Sequence, residues 1–480
     1  MERLIRVAIT LIVFLIVLTT IANIFIAINM ASDPWRILNW GVLFLILLAL
    51  GYLGWNLVQE LSSPVRHKPK PPNINFWTAD EVPLTSSNRA RGVSFGNVSK
   101  GSILCVSGGG YKSGLFNLGS IAALNERGML RTLDTISSVS GGSFTIAWLA
   151  IHWDQLKFDE DDVAINFDEV IVEPLIRKYT SVTIDTPSIL RGVRSYALGG
   201  PSAGEYLSKA LRKHFYGDTS LSDIPDPEKG KVPNFCFNSS DLRTSTRWTF
   251  SKEDGQPQAQ NYKIGTAKQN FAIADVVTGS AAFPPFFSPF CLKLDDAPVH
   301  DDSRKAGKTP WIDKIPDHER PHFLNRMELG DGGIYGNMGV EEAKGHRLIF
   351  ISNAGDPYGE TNTYDTSWLG QMRQLIRHYH RQIEQRRKIH AVDLELLYTA
   401  TPDRENIEVA IWQIEDFLSE DMAALYGAPI RADLAHKVAT FPVRLKRADK
   451  NQADLIYRFG RAHGLREIDI RIHDGKTRSN

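Results

Sequence analysis

The sequence is poor in sulfur and has no surplus of charge. Its 480 residues include three cysteines, Cys105, Cys236 and Cys291. They lie far apart and form no CxxC pair, which argues against a disulfide framework or a cysteine zinc site and suits a reducing compartment. Lysine plus arginine number 55, as do aspartate plus glutamate, so net charge gives no reason to expect nucleic acid or another polyanion as partner. No internal repeat is present, and the one biased tract is a short proline-rich stretch. The histidines and aspartates between 294 and 322 lack the spacing of a metal-ligand set. That charged insertion reads as a solvated loop, and no metal or cofactor is expected.

Uncharged apolar sequence is abundant at the start. Residues 7–30 and 37–59 contain no charged side chain, and each run is long enough as a helix to cross a hydrocarbon core of about 30 Å. Residues 31–36 leave room only for a tight turn, so 1–60 reads as a transmembrane helical hairpin. Arg3 and Arg6 precede it, and Arg66, Lys68 and Lys70 follow it. Positive flanks place both ends on the cytoplasmic side. Residues 61–98 then form a proline-rich basic linker, a semi-rigid spacer whose cations suit anionic headgroups.

Beyond the linker, strand and helix patterns alternate, which predicts an α/β sheet covered by helices on both faces. Two turns echo each other. Ile103-Leu104-Cys105-Val106 runs into Ser107-Gly108-Gly109-Gly110, and Ile136-Ser137-Ser138-Val139 runs into Ser140-Gly141-Gly142. Each restarts as a helix, at 112–130 and 142–151. Such a turn presents either backbone N–H groups or a serine hydroxyl at the top of a parallel sheet. A Walker A motif fails because Tyr111 precedes Lys112-Ser113, and a dinucleotide fingerprint fails because Ser113 stands where glycine is required. The remaining chemistry is acyl transfer by serine. G-x-S-x-G is itself incomplete, with Ser138 in place of the leading glycine, and Ser107 has the same half-match as Ser140.

Further on, 166–169 reads as a capped helix start. Strands are expected at 232–237 and 248–250, with 238–242 as a polar turn between them. Phe283, Phe286 and Phe287 lie among prolines, as core or as an acyl-chain wall. Residues 347–352 read as a buried strand. A helical stripe runs from Trp368 to Ile383 beside Arg373, Arg377 and Arg381; a solvated face is the default there, with headgroup contact as the second reading. An amphipathic helix is expected at 449–463.

Four segments resemble the motifs of the patatin-like phospholipases and related cytosolic phospholipases. They are Ser107 to Gly114, Val139-Ser140-Gly141-Gly142-Ser143, Ser280 to Pro289, and Asp331-Gly332-Gly333, in the family's order. The resemblance implies a lipid acyl hydrolase domain over 99–475 with a Ser–Asp dyad. By position, Ser140 is the nucleophile, Asp331 its base, and Gly108, Gly109 and Gly110 supply the oxyanion hole. Lys112 and Ser138 depart from the family pattern.

Two rival readings remain. One is a Ser–His–Asp esterase or acyltransferase using a histidine after Asp331, such as His346, His390, His436 or His463. The other is a catalytically inactive, membrane-tethered lipid-binding scaffold. The expected partners are a membrane lipid as substrate and the bilayer itself, and the sequence leaves oligomeric state open. The topology makes a direct prediction: protease added outside sealed cells leaves the chain beyond Arg66 intact, and its digestion there reverses the assignment.

Overall fold

The computed structural model describes residues 100–196, 200–299, 311–355, 370–371, 374–376, 378–379, 381–388, 407–416, 418, 420–427 and 437–478. The expected hairpin and linker lie outside these residues. Among the described residues, no helix is long and apolar enough to cross a membrane. The chain divides into two compact units. The second, Gly92–Tyr364 with Arg373–Asn480, holds every described residue except Gly370 and Gln371 and is the one considered below.

Ten strands form one mixed sheet. Its parallel part runs β10 (Glu408–Gln413), β9 (His346–Asn353), β1 (Lys100–Val106), β2 (Thr135–Val139) and β3 (Asn234–Asp241). Antiparallel strands β4 (Thr246–Glu253), β5 (Gln256–Asn261) and β6 (Gly265–Ala267) extend it. Two further strands, β7 (Phe290–Lys293) and β8 (Arg326–Gly330), pair with each other, and β8 also meets β3.

Strand alternation sorts side chains to two faces. Leu104, Val106 and Phe350 enter the main core, whereas Ile103, Cys105, Ile349 and Ile351 enter a smaller cluster on the other face. The main core is built with α1 (Gly110–Glu126), α2 (Gly141–Ile151), α3 (Glu173–Ser181), α4 (Asp185–Tyr196), α5 (Ala203–Leu211) and α6 (Ile273–Ala281). The short helix α7 (Gly332–Gly336) follows β8, and α8 (Lys450–Arg478) ends the described chain.

Strand β3 decides where the site forms. One of its edges is taken by β4 from Phe237 to Asp241, and β2 pairs with Asn234 to Asn238. Strand β8 pairs with Ser240 and Asp241. A strand has only two edges, so β8 occupies the one that β2 vacates. Parallel β2 and antiparallel β8 therefore approach Ser239 head-on, and the next residue of each is Ser140 and Asp331.

Several expectations need correction. Residues 238–241 are not a turn but the buried second half of β3. Asn238, Ser240 and Asp241 find hydrogen-bond partners there, which offsets most of the cost of burying them. Asn166 does not cap a helix: its Oδ1 accepts the Lys157 N–H at 2.8 Å and its Nδ2 donates to the Gln155 carbonyl. Phe287 is buried, but Phe283 and Phe286 are exposed, so this stretch is more rim than wall. Ile312 is buried inside the charged insertion, and Arg320–Leu324 is helical. The C-terminal helix is almost twice as long as its sequence signal, and it packs on α1. A Cβ on Gly119 would fall 2.1 Å from the Tyr457 carbonyl oxygen, and one on Gly460 would fall 2.0 Å from that of Phe116. The two backbones touch, so only glycine fits at this crossing. Gly460→Ala is predicted to destabilise the fold by about 1–3 kcal/mol through overpacking, read from the denaturant midpoint; an unchanged midpoint contradicts this packing.

Candidate active site

The two glycine turns lie side by side because β1 and β2 are neighbours. They also interlock. A Cβ on Gly141 would fall 2.1 Å from the Gly110 carbonyl oxygen, and one on Gly142 would fall 2.7 Å from that of Ser107. The repeated glycines are thus a packing requirement between two backbones. Helices α1 and α2 start at these turns, so two positive dipole ends converge there.

Ser140 sits at the sharp bend between β2 and α2 with φ 47° and ψ −118°. Positive φ in a residue with a Cβ costs on the order of 1–3 kcal/mol and persists only where neighbours hold it. The Ser140 N–H donates to Ser280 Oγ at 2.9 Å, and the Ser140 carbonyl accepts the Ser143 N–H at 2.9 Å. Ser280 Oγ in turn donates to the Asn238 carbonyl at 2.7 Å and lies 2.9 Å from Ser143 Oγ. Ser138, the departure from the glycine pattern, carries no positive φ. It remains a strand residue whose hydroxyl donates to the Cys236 carbonyl.

The Ser140 hydroxyl donates to Asp331 Oδ2 at 2.7 Å. Asp331 caps α7, its Oδ1 accepting the Gly333 N–H at 2.7 Å. Its N–H donates to the Ala282 carbonyl at 2.8 Å, and its carbonyl accepts the Ser240 hydroxyl at 2.8 Å. The end of α6 and the residue beyond it therefore brace both partners, Ser280 holding Ser140 and Ala282 holding Asp331. Burial raises the Asp331 pKa to about 6, opposed by the bonds from Ser140 and Gly333.

The first glycine turn is held from several sides. The Gly108 N–H is committed to the Asn337 carbonyl at 3.0 Å and that of Tyr111 to the Arg444 carbonyl at 3.0 Å. Gly109 has φ 142° and Gly110 φ 62°, conformations natural to glycine. Their N–H groups have no acceptor among the described residues. Of the three expected donors, Gly109 and Gly110 are thus open, whereas Gly108 is spent on structure. Ser107 is fully buried and its Oγ accepts the Ala354 N–H at 2.7 Å, so it is a brace and no rival nucleophile. Lys112 is buried too, its Nζ donating to the carbonyls of Gly355 and Ala439.

The candidate histidines lie elsewhere. His346 begins β9 opposite Lys100, the first residue of β1, at the far end of the sheet from the glycine turns. His463 is buried against Phe116 and Phe459, and burial lowers its pKa to about 3. His390 and His436 lie outside the described residues. Among the described residues, no three His, Cys, Asp or Glu side chains are placed to hold a metal ion.

Asn238, Ser240, Ser280 and Asn337 carry the geometry, and of these only Ser280 lies in a segment that the resemblance marks. Ser280→Ala removes the acceptor for the Ser140 N–H, leaving a buried donor unsatisfied at about 1–3 kcal/mol. The predicted result is a kcat reduced about tenfold or more with KM little changed, and restored by Ser280→Thr. A raised KM with normal kcat would instead assign Ser280 to substrate binding.

No curated protein matches the chain. Among solved structures, human GIVD cytosolic phospholipase A2 is similar at 13% identity and a TM-score of 0.44, covering 77% of this chain and 59% of that one. The chain thus spans about three fifths of that protein's length. The same enzyme in complex with methyl gamma-linolenyl fluorophosphonate matches at 13% identity and a TM-score of 0.41, with coverages of 76% and 57%. VipD from Legionella pneumophila matches at 17% identity and a TM-score of 0.27, with coverages of 76% and 67%. Residues 104–344 match the patatin-like phospholipase family, a span holding both glycine turns, Ser140, Ser280 and Asp331, and the chain therefore belongs to this family.

Proposed function

We propose that the chain is a membrane-anchored hydrolase that cleaves ester bonds of phospholipids or lysophospholipids through an acyl-enzyme on Ser140. Asp331 is the base, and the N–H groups of Gly109 and Gly110 receive the oxyanion. The observation that carries this reading is the 2.7 Å hydrogen bond from Ser140 Oγ to Asp331 Oδ2 at a strained strand-to-helix turn. The anchor rests on the apolar runs 7–30 and 37–59, and their basic flanks put the catalytic domain on the cytoplasmic side.

In the acylation step Ser140 Oγ forms a bond to the ester carbonyl carbon as its proton passes to Asp331 Oδ2. The carbonyl π pair moves onto oxygen, where Gly109 and Gly110 donate to it. A single such donor is worth roughly 3–4 kcal/mol where tested in other enzymes. Collapse of the tetrahedral adduct breaks the bond to the leaving alcohol, which takes the proton from Asp331. A water then gives its proton to Asp331 and attacks the acyl-enzyme, releasing the fatty acid and returning the proton to Ser140. Aspartate at its reference pKa of about 3.9 is a weak base, and burial corrects this by raising Asp331 to about 6.

A fluorophosphonate should label Ser140 in the wild-type chain but not in Asp331→Asn, in which Oγ has lost its base. Phospholipid hydrolysis should vanish in Ser140→Ala and fall about 10²–10⁴-fold in Asp331→Asn. Equal rates in wild type and Ser140→Ala remove this site from the reaction and favour the scaffold reading. The pKa of Asp331 sets two pH dependences. Catalysis needs the carboxylate, so kcat/KM should rise through about pH 6 and level off above it. Stability runs the other way, because the folded pKa exceeds the unfolded one. The contribution of this group is fully present below the unfolded pKa of about 3.9 and is lost as pH rises through about 6. Asp331→Asn should accordingly be more stable than wild type at neutral pH while nearly inactive. A variant that is both inactive and less stable contradicts the buried-carboxylate account.

A further inference from the structure

The described residues 381–388 are helical. At 100° per residue Glu384, Arg387 and Lys388 share one face, and each meets a partner. Glu384 Oε1 accepts Asn337 Nδ2 at 3.1 Å. Arg387 pairs with Glu341 at 2.6 Å and lies over the Tyr335 ring at 5.3 Å. Lys388 Nζ donates to the side-chain oxygen of Gln413, the last residue of β10. The inner face of this helix is therefore pinned to segment 335–341, which follows Asp331, and to the sheet.

Glu384 is an unusual residue for that place. It is 8% exposed, and burial raises its pKa, opposed by Lys388 and by the bond from Asn337. An apolar side chain of similar volume would pack there at a lower desolvation cost. What glutamate adds is an acceptor. An ionised carboxylate only accepts, so it draws the Nδ2 end of the Asn337 amide to itself and leaves Oδ1 turned the other way.

That other end reaches the site. A Cβ on Gly108 would fall 2.5 Å from Asn337 Oδ1, and one on Gly333 would fall 2.9 Å from it. Gly108 opens the first glycine turn, and the Gly333 N–H is the donor to Asp331 Oδ1. The amide thus stands between the turn that carries Gly109 and Gly110 and the turn that carries Asp331. Its Nδ2 end is closed by Gly355, where a Cβ would fall 2.8 Å from Nδ2 and 3.2 Å from Glu384 Oε1. The Gly355 carbonyl accepts Lys112 Nζ of α1 at 3.1 Å, so α1 is tied to the same point.

We propose that Glu384 is a positioning residue: by holding the Asn337 amide, it sets the spacing between the first glycine turn and Asp331. This role rests on the hydrolase reading, in which oxyanion donors and base must meet one ester at once. A misplacement of about 1 Å can cost about 10²-fold in rate even when its cause lies away from the reacting atoms.

The test compares Glu384→Met with Glu384→Gln in the full chain. Methionine is of similar length and adapts to a buried site but offers only a weak acceptor, whereas glutamine keeps an oxygen at the same reach. A fluorophosphonate taken to completion counts the competent Ser140 sites, and turnover of a soluble short-chain ester is divided by that count. Glu384→Met should lower kcat per labelled site about tenfold or more with KM within about twofold, and Glu384→Gln should recover most of the loss. Asn337→Ala should show the same loss, and combining it with Glu384→Met should cost no more, because both remove one device. Amide exchange of segment 107–111 should quicken about tenfold in Glu384→Met. Fewer labelled sites with normal kcat at each would assign Glu384 to folding alone and overturn the proposal. Additive losses, a raised KM with normal kcat, a glutamine variant as slow as the methionine one, or unchanged exchange overturn it as well. A wild-type chain no faster than Ser140→Ala, with exchange still quickened by Glu384→Met, would sink the catalytic reading while upholding the hold of Glu384 on the turn. An active chain whose kcat and exchange ignore the substitution would sink the positioning alone.

Discussion

A carboxylate held away from water needs donors, and Asp331 receives two, the Ser140 hydroxyl on one oxygen and the Gly333 N–H on the other. No cation is bonded to it among the described residues. With only neutral donors, the ionised form stays costly and the pKa remains high. A guanidinium in contact would pull the pKa down and weaken the proposed base. A solvated aspartate would be equally weak and would leave the serine hydroxyl free to rotate. The hydrogen bond from Ser140 therefore depends on burial without ion pairing, and much of the neighbouring structure maintains that condition.

The maintenance is done by hydroxyls and amides, which satisfy buried backbone groups without introducing charge. Ser240 holds the Asp331 carbonyl, and Ser280 links the Ser140 N–H to the Asn238 carbonyl. Asn238 also donates to Ser137 Oγ and to the Ser138 carbonyl. The charges that do appear are one layer out. Arg247 bonds Asn238 Oδ1 at 2.7 Å and is paired with Glu342. Such a network is worth having only when its members are satisfied, and each of these hydroxyls and amides has a partner. Among the described residues, the buried hydroxyl of Ser239, where β2 and β8 meet, has no hydrogen-bond partner.

The parts of this site that were readable in the sequence are the ones built by adjacent residues. A strand followed by serine and two glycines signals its own turn, and it did so at both 107 and 140. Choosing between those serines required the resemblance, because the difference is tertiary: Ser107 Oγ is taken by Ala354, while Ser140 Oγ faces Asp331. The run Asn238-Ser239-Ser240-Asp241 hides its structure for a related reason. Polar residues in a row are a turn in most settings, and only the approach of β8 along a vacated edge makes them a buried strand. The C-terminal helix is legible only to 463, because Gly464 reads as a helix stop; here it packs against Ala123, and the helix runs on through buried Leu465 and Ile468. The stripe from Leu375 was legible as a helix, but its direction was not. Which face is buried depends on Glu384 finding Asn337, a contact across 47 residues.

The same dependence on distant neighbours explains how the open donors stay open. A glycine turn left to itself would exchange among conformations, and water would satisfy its N–H groups in many of them. Here Gly108 is fixed by Asn337 and Tyr111 by Arg444. Arg444 is tied to Asp185 at 2.8 Å, and Gly141 packs directly on Gly110. The two N–H groups between these restraints have little freedom to turn away. Donors fixed before the reaction need no reorganisation when charge appears on the carbonyl oxygen, which is the condition under which they stabilise it most. In the proposed oxyanion hole, committing Gly108 to Asn337 removes one donor and helps to hold the turn that carries the other two.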